Sequence, residues 1–384
     1  MKSRFNYKVP IVIASFILIA VLLIVTMQID KAHRYEGPEL EVKQSTPTLE
    51  LKPVDGEVFL VNPVIAEWMN SDESAISMYN SFREAGRIDN PDPFTVAYSL
   101  KGLPYDVKVE SQYVEVSENK DFSNAIKVSV DTKKRFAEIY NLYTNTTYYC
   151  RVTVNLSNGE TLTAQGEYKT AVSPRLILVD GIRNVRDVGG YVNYEGKTIK
   201  QGMVYRGTEL DGAISKKYTL TDAGVNTMVN ELGIKTEIDL RGSEVTDVKH
   251  YLGEDTEHTY HSFLAYMDLF TEHGMNKTRE IFQILAQPES YPVYFHCTYG
   301  ADRTGTLAYL IQGILGLSEE QLHDEWELSV FFAGGAFDED MAKFEAAIME
   351  YRGDTIQEKI ENFILDTGVT YEEIESIRNI LLSE

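Results

Sequence analysis

The stretch His296-Cys297-Thr298-Tyr299-Gly300-Ala301-Asp302-Arg303-Thr304-Gly305 concentrates residue types that can do phosphorus chemistry. A short loop closing onto a helix N-terminus turns several backbone N–H groups inward. The helix dipole adds positive potential there, so a phosphate dianion can be held without a metal. The same field favours a thiolate, which makes Cys297 a nucleophile near neutral pH. Arg303, six residues on, can curl its planar guanidinium back onto two phosphate oxygens and follow their charge into the transition state. Gly300 permits the tight turn, and the Thr304 hydroxyl can donate to the sulfur as it leaves. Thr298, Tyr299, Gly300, Ala301 and Thr304 are therefore expected to form the substrate-phosphate loop. A Cys and an Arg at this distance are a weak signal alone. The weight comes from His, Gly, Arg, Thr and Gly at fixed offsets in a strand-loop-helix context. The plain alternative for Cys297 is a buried thiol in a glycine-containing turn.

The elements that must position this loop are legible around it. A strand at 293–295 runs into it, and Leu307, Leu310, Ile311 and Ile314 mark a helix leaving it. Upstream, Val225, Met228, Val229 and Leu232 share one face of a helix over 222–232, which Gly233 stops before a strand at 236–240. The remainder, to residue 384, reads as three or four amphipathic helices. Residues 178–384 are thus expected to be an α/β domain with a mainly parallel sheet flanked by helices. Ahead of it, short alternating segments over about 95–172, separated by turn clusters such as Ser117-Glu118-Asn119-Lys120-Asp121, have the pattern of an all-β sandwich. That domain is placed at 56–172, with a helical insertion near 71–87. Cys150 alternates with Val152 and Val154 and reads as a small buried hydrophobe.

The loop resembles the HC-x5-R-[ST] signature of the cysteine-dependent tyrosine and dual-specificity phosphatases. More closely the chain is similar to the bacterial secreted branch, related to mycobacterial and listerial tyrosine/lipid phosphatases. Asn184-Val185-Arg186-Asp187-Val188-Gly189-Gly190-Tyr191, Val204-Tyr205-Arg206, and Ile238-Asp239-Leu240-Arg241 with Glu244 carry that likeness, as does the tail at 369–382. It covers about 178–384. The stretch from Leu142 to Tyr148 resembles the tyrosine-corner region of fibronectin type III domains, with Tyr148 as the corner.

Protonating the leaving group needs a carboxylic acid within hydrogen-bond reach of the scissile oxygen. Asp302 lies inside the loop, and the resemblance to the bacterial branch and to myotubularin-type phosphatases favours it. Asp268 can instead arrive on a mobile loop, as in the larger tyrosine phosphatases, and Asp239 stands at the end of a strand, where the active sites of parallel sheets gather. For each, a solvated or ion-paired role is the plain alternative. Arg186, Asp187, Arg206 and Arg241 are expected to brace the loop through ion pairs, and His296 to fix its geometry.

The composition sets the limits. A chain of 384 residues, with 43% hydrophobic and 25% charged residues, fits two folded units better than one. A formal charge of -23 argues against a nucleic-acid or anionic-lipid surface. Lys2, Arg4 and Lys8 precede an uncharged apolar run at 10–29, long enough to cross a bilayer and oriented with 1–9 inside. A stalk at 30–55 would then hold the catalytic domain outside the cytoplasm. The alternative is secretion after signal cleavage. Two cysteines in different units do not suggest a disulfide framework. The reading is a membrane-anchored, metal- and cofactor-free phosphatase acting on a phosphorylated protein or small phosphomonoester through a cysteinyl-phosphate. Its sandwich would be a spacer or would bind a protein or surface partner. The loop as a silent phosphate-ligand module and an inositol-phosphate substrate stand as alternatives. Relatives often carry lysine where this chain has Ala301, which points to monophosphate esters, phosphotyrosine above all, because each further phosphate needs a counter-charge once desolvated.

Overall fold

A computed structural model describes residues 46–82, 90–242, 250–262, 265–333 and 338–383, with Leu22 and Val245. The apolar run at 10–29, apart from Leu22, lies outside the described residues, as do Glu244, residues 83–87 of the helical insertion and most of the stalk. Among the described residues no helix is long and apolar enough to cross a membrane. Residues 48–101 and 105–384 form one unit, and the other, 1–47 with 102–104, is described at only a few positions.

Chain order gives strands β1 (Thr48–Leu51), β2 (Phe94–Lys101), β3 (Val109–Ser117), β4 (Ile126–Val130), β5 (Phe136–Ile139), β6 (Thr147–Leu156) and β7 (Thr161–Lys169). They form two antiparallel sheets, ordered β1-β2-β5 and β4-β3-β6-β7. In β6 the residues Tyr148, Cys150, Val152 and Val154 point inward and are buried, the period-2 alternation of a half-buried strand. Burial pushes the Cys150 thiol up to about 12, so this cysteine is inert packing. The Tyr148 hydroxyl accepts the backbone N–H of Tyr143 at 2.8 Å. Two differences from the sequence reading stand out. Thr48–Leu51, within the segment read as stalk, pairs antiparallel with β2. The insertion is a pair of helices, α1 (Pro63–Trp68) and α2 (Ala75–Phe82), beginning earlier because Asn62 caps the first turn ahead of a proline at N1.

The second half holds β8 (Arg186–Asp187), β9 (Val204–Gly207), β10 (Thr236–Asp239), β11 (Glu257–Tyr260) and β12 (Val293–His296). Their order is β11-β10-β12-β9-β8, parallel except for β8 at the edge. Every residue of β10 and β12 is buried, as a sheet covered on both faces requires. Alternation divides β12. Val293 and Phe295 join a cluster with Phe282, Leu310 and Phe363, while Tyr294 packs with Tyr205 and Met228 on the other face.

The helices are α3 (Asp222–Asn226), continued as a π-turn over Thr227–Glu231, α4 (Glu272–Leu285), α5 (Asp302–Ile314), α6 (Glu319–Glu327), α7 (Val330–Ala333), α8 (Asp338–Met349), α9 (Ile356–Asp366) and α10 (Tyr371–Leu381). Among the described residues five helices follow α5, where three or four were expected. The reason is local: α6, α9 and α10 each open on a capping box, Ser318/Gln321, Thr355/Glu358 and Thr370/Glu373, which restarts the helix after each break. Helix α5 is buried all round from Thr304 to Ile314, so it is held by packing on every side.

Arg175 ties the two halves together. Nearly all of its side chain is buried, with Nη1 donating to Asp187 at 2.7 Å, Nη2 to the Asn141 carbonyl at 2.7 Å and Nε to the Leu142 carbonyl at 3.1 Å. Burial raises the Asp187 carboxyl above its ordinary range, against the pull of Arg175. Arg175→Met should therefore leave a buried charge unpaired and lower the unfolding free energy by about 3–5 kcal/mol, read as a shift of the urea midpoint. An unchanged midpoint would show that Arg175 holds nothing.

Candidate active site

Cys297 follows the C-terminal end of β12, the middle strand of the five, and α5 begins five residues later at Asp302. This is the crevice position where parallel sheets place their chemistry. The loop between them is shaped by what its carbonyls do. Thr298 O accepts from the backbone N–H of Glu209 at 3.2 Å, Tyr299 O from Asn184 Nδ2 at 3.1 Å, and Gly300 O from both Asn184 Nδ2 at 3.0 Å and Arg206 Nη2 at 2.8 Å. Three consecutive carbonyls are thus drawn outward. Among the described residues, none of the backbone N–H groups of residues 298 to 301 donates a hydrogen bond. Ala301, the N-cap of α5, supplies no capping side chain. Unpaired amides and an uncapped helix start together make an anion nest beside a buried thiol.

Gly300 has φ +68, and a Cβ there would lie 2.5 Å from the Gly207 carbonyl oxygen, so only glycine fits. Thr304 Oγ1 is buried without a partner. No bond to the sulfur is formed, but a polar atom in that condition is available to one. Arg303 sits on the first turn of α5, part-buried, with Nη1 donating to the Leu240 carbonyl at 3.1 Å. Tyr299 is 47% exposed with its ring edge-on to Tyr218 at 5.9 Å, so it stands at the rim. Ala301 and Thr298 are buried.

The three carboxylates part company. Asp302 accepts from the Tyr266 hydroxyl at 2.8 Å, and burial raises it above the ordinary carboxylate range. Asp239 is fully buried and bound to Arg241 through both oxygens, at 2.9 Å and 2.7 Å. Burial opposes its charge, but His296 and Arg241 hold it below the usual range, which makes it a poor proton donor. Asp268 lies two residues beyond Tyr266 on a 3-10 turn (Tyr266–Phe270) and is partly exposed. Tyr266 adopts φ +58, a left-handed conformation costly for a bulky residue, at the residue whose hydroxyl reaches Asp302.

The braces differ from expectation in detail. Arg206 and Arg186 do support the loop, the latter through Asn184 Oδ1. Arg241 is taken up by Asp239, Asp211 and Glu209, and touches the loop only through the Glu209 backbone. Asp187 braces no part of the loop. It serves Arg175 and the N–H groups of Gly189 and Gly202. His296 Nε2 lies 2.9 Å from Glu237 and Nδ1 3.3 Å from the Cys297 carbonyl. Burial opposes charge on that ring, yet Asp239 and Glu237 raise it above the usual histidine value, and Glu237 is held at about 2 against its own burial by His258 and His296.

Sequence reasoning passed over Glu325 on α6. Its Oε1 takes Arg186 Nε at 2.7 Å and Arg206 Nη1 at 3.1 Å, and its Oε2 the Tyr191 hydroxyl at 2.9 Å. Both arginines are fully buried, and burial with the Arg186 charge pushes Arg206 down to about 9. The one available signal was an acid beside Trp326 on the apolar face of α6, which a helix tolerates only if it is paired.

The sequence over 177–383 matches the profile of the tyrosine phosphatase family, more than half of the chain. The chain belongs to the tyrosine phosphatase family. A tyrosine-protein phosphatase from Nostoc commune is 27% identical over 138 residues, covering 30% of this chain and 47% of that protein, so the chain spans about half the length of the curated relative it matches. Two solved structures are similar over part of their course. The core catalytic domain of the PP-IP phosphatase SIW14 from S. cerevisiae, in complex with citrate, is 15% identical with a TM-score of 0.28, covering 46% of this chain and 85% of that one. The Siw14 catalytic core is 16% identical with a TM-score of 0.31, covering 51% and 96%. Superpositions this loose bear on neither mechanism nor substrate.

For this phosphatase-family loop the sharpest geometric test is Gly300→Ala. A methyl group pressed against a backbone carbonyl at positive φ should displace the nest, lowering kcat/KM for p-nitrophenyl phosphate by about a hundredfold or more. Wild-type kinetics in that variant would mean the loop geometry is not what acts.

Proposed function

We propose that the chain hydrolyses phosphomonoesters through a cysteinyl-phosphate, and that its preferred substrates carry one phosphate, phosphotyrosine above all. The single observation that carries this reading is the loop whose carbonyls are tied outward while its amides are unpaired around Cys297. In the proposed sequence the phosphate enters the nest, and the Cys297 sulfur forms a bond to phosphorus as the ester oxygen leaves with a proton from Asp302. Water then attacks phosphorus, giving up a proton to the Asp302 carboxylate as the P–S bond breaks, which releases inorganic phosphate and restores the Cys297 thiolate and the protonated acid. Arg303 follows the equatorial oxygens. Tyr266 and Trp326 orient the acid, since Trp326 Nε1 lies 3.3 Å from the Tyr266 hydroxyl that bonds Asp302.

Ala301 is buried at the helix cap and brings no charge, which supports the monophosphate preference. The motifs around Asn184, Arg206 and Asp239 support kinship with the bacterial secreted branch. The strand order β1-β2-β5 and β4-β3-β6-β7 and the Tyr148 to Tyr143 bond support a fibronectin type III-like spacer. The basic flank and apolar run at the N-terminus support a membrane-anchored placement with the loop outside the cytoplasm.

The test offers a phosphotyrosine peptide and phosphoinositides of rising phosphate number to the parent and to Cys297→Ser. The parent should turn over the peptide fastest, and the Ser variant should lose about 10⁴-fold or more in kcat while still binding. Turnover by the Ser variant would end the covalent mechanism. A preference for the multiply phosphorylated lipids would end the substrate reading alone.

Asp302 yields a separate expectation in pH. Its protonated form is the donor, so kcat should fall as pH rises through its carboxyl, whose raised value carries activity to higher pH than an ordinary aspartate would. Asp302→Asn neither donates nor titrates. It should lose about 10²–10⁴-fold with phenyl phosphate, less with p-nitrophenyl phosphate, whose leaving group needs no proton, and the alkaline limb should flatten. A limb unchanged in the Asn variant would transfer the role to another acid.

A further inference from the structure

Behind the loop, on the far side of Glu325, lies a cavity of about 200 Å3 between the end of α1, the chain at 172–174, Gly190 with Tyr191, and α6. Its chemistry is one-sided. None of its lining residues carries a basic side chain. Apolar walls come from Trp68 and Leu328, and the polar side chains are Asp324, Glu325, Tyr191, Ser173 and Gln321, the last with its amide already bonded to the Ser318 N–H and the Val192 carbonyl. Glu325 and Tyr191 are already bonded to each other. Ser173 is 5% exposed, and its Oγ has no hydrogen-bond partner, a condition that usually marks a group waiting for a ligand or water. Asp324 is exposed at the mouth and, among the described residues, pairs with no Lys or Arg, while partial desolvation with the neighbouring Glu320 charge raises its carboxyl.

We infer that this cavity binds a small organic ammonium ion, its charge against Asp324 and its apolar body between Trp68 and Leu328. The inference follows from the complement of what is present. Glu325 is already matched by Arg186 and Arg206, so the charge on offer is that of Asp324, and a carboxylate beside an indole ring with no Lys or Arg in the lining favours a cation, which the two attract together. The volume lies below the roughly 300–1,000 Å3 of drug-sized sites, so the occupant is a fragment such as a benzylic or short alkyl amine. The site also shares Glu325 with the loop. One oxygen of that carboxylate meets the Tyr191 hydroxyl at the cavity, and the other meets Arg206, which holds the Gly300 carbonyl.

The experiment titrates benzylamine hydrochloride and its neutral isostere benzyl alcohol into the full chain at fixed ionic strength, following the Trp68 indole N–H by NMR. Benzylamine should give a saturable shift at least about tenfold tighter than the alcohol. Asp324→Asn should erase that preference by weakening the amine alone. Ser173→Leu, which fills the space, should abolish both. Equal affinity for amine and alcohol, an amine affinity unchanged in Asp324→Asn, or no saturable shift up to tens of millimolar would each overturn the inference. The readout is binding, so it stands or falls independently of whether the chain hydrolyses phosphate esters.

Discussion

The interaction on which the rest depends is the bond from Arg206 to the Gly300 carbonyl, with Asn184 holding the same oxygen and its neighbour. A peptide unit cannot turn its oxygen outward without turning its N–H the other way. Fixing the carbonyls of Thr298, Tyr299 and Gly300 therefore turns the N–H groups of Tyr299, Gly300 and Ala301 the other way. They lie between Cys297 and the uncapped start of α5, where helix and loop partial charges add. Glycine at 300 and the unusual φ +53 of Asn184 are the conformational conditions for the same arrangement.

Holding a guanidinium in the core is costly, and the surrounding structure is organised by that cost. Arg186 and Arg206 are both fully buried and share one carboxylate, Glu325, with Ser329 Oγ taking Arg186 at 3.0 Å. A buried ion pair adds little net stability, but its removal from one side leaves a charge no solvent can reach. The arginines, the acid and the loop must therefore be assembled together. Helix α6 delivers Glu325, and Trp326 beside it packs where a Cβ at Gly305 would come within 2.9 Å, so the loop helix and its brace approach as closely as glycine allows. Helices α1 and α2 extend this support: Trp68 packs on Phe331 of α7 at 5.4 Å, and the Glu327 side chain takes the Ala75 N–H at 2.9 Å.

The loop and its immediate frame were legible because their signals are local. The apolar spacing of Leu307, Leu310, Ile311 and Ile314 describes a helix wherever it sits, and the alternation through Cys150, Val152 and Val154 describes a strand. Braces were harder to read. Arg186, Asp187, Arg206 and Arg241 look equivalent in the sequence as charged residues in motifs, yet only the arginines Arg186 and Arg206 support the loop. Asp187 serves Arg175 instead, and Arg241 is consumed by three carboxylates. The stalk boundary failed for a related reason: Thr48–Leu51 is a strand because β2 offers it an edge, not because of its own four residues.

By itself the sequence determined the chemistry on offer: a cysteine and an arginine six residues apart on a glycine turn, a strand before and a helix after, and a membrane-length apolar run ahead of it all. Those features are written in consecutive residues and need no partner. How the three candidate acids differ in their surroundings was decided only in three dimensions. Asp302, Asp268 and Asp239 are the same side chain, and what separates them is that one is half-buried against a tyrosine hydroxyl while another is held in charged form by His296 and Arg241 against its burial. The tertiary structure alone also brought Glu325, distant in sequence, to within 2.7 Å of Arg186. Protonation and ion pairing depend on dielectric and neighbours, and neither is a property of a residue until the chain has folded around it.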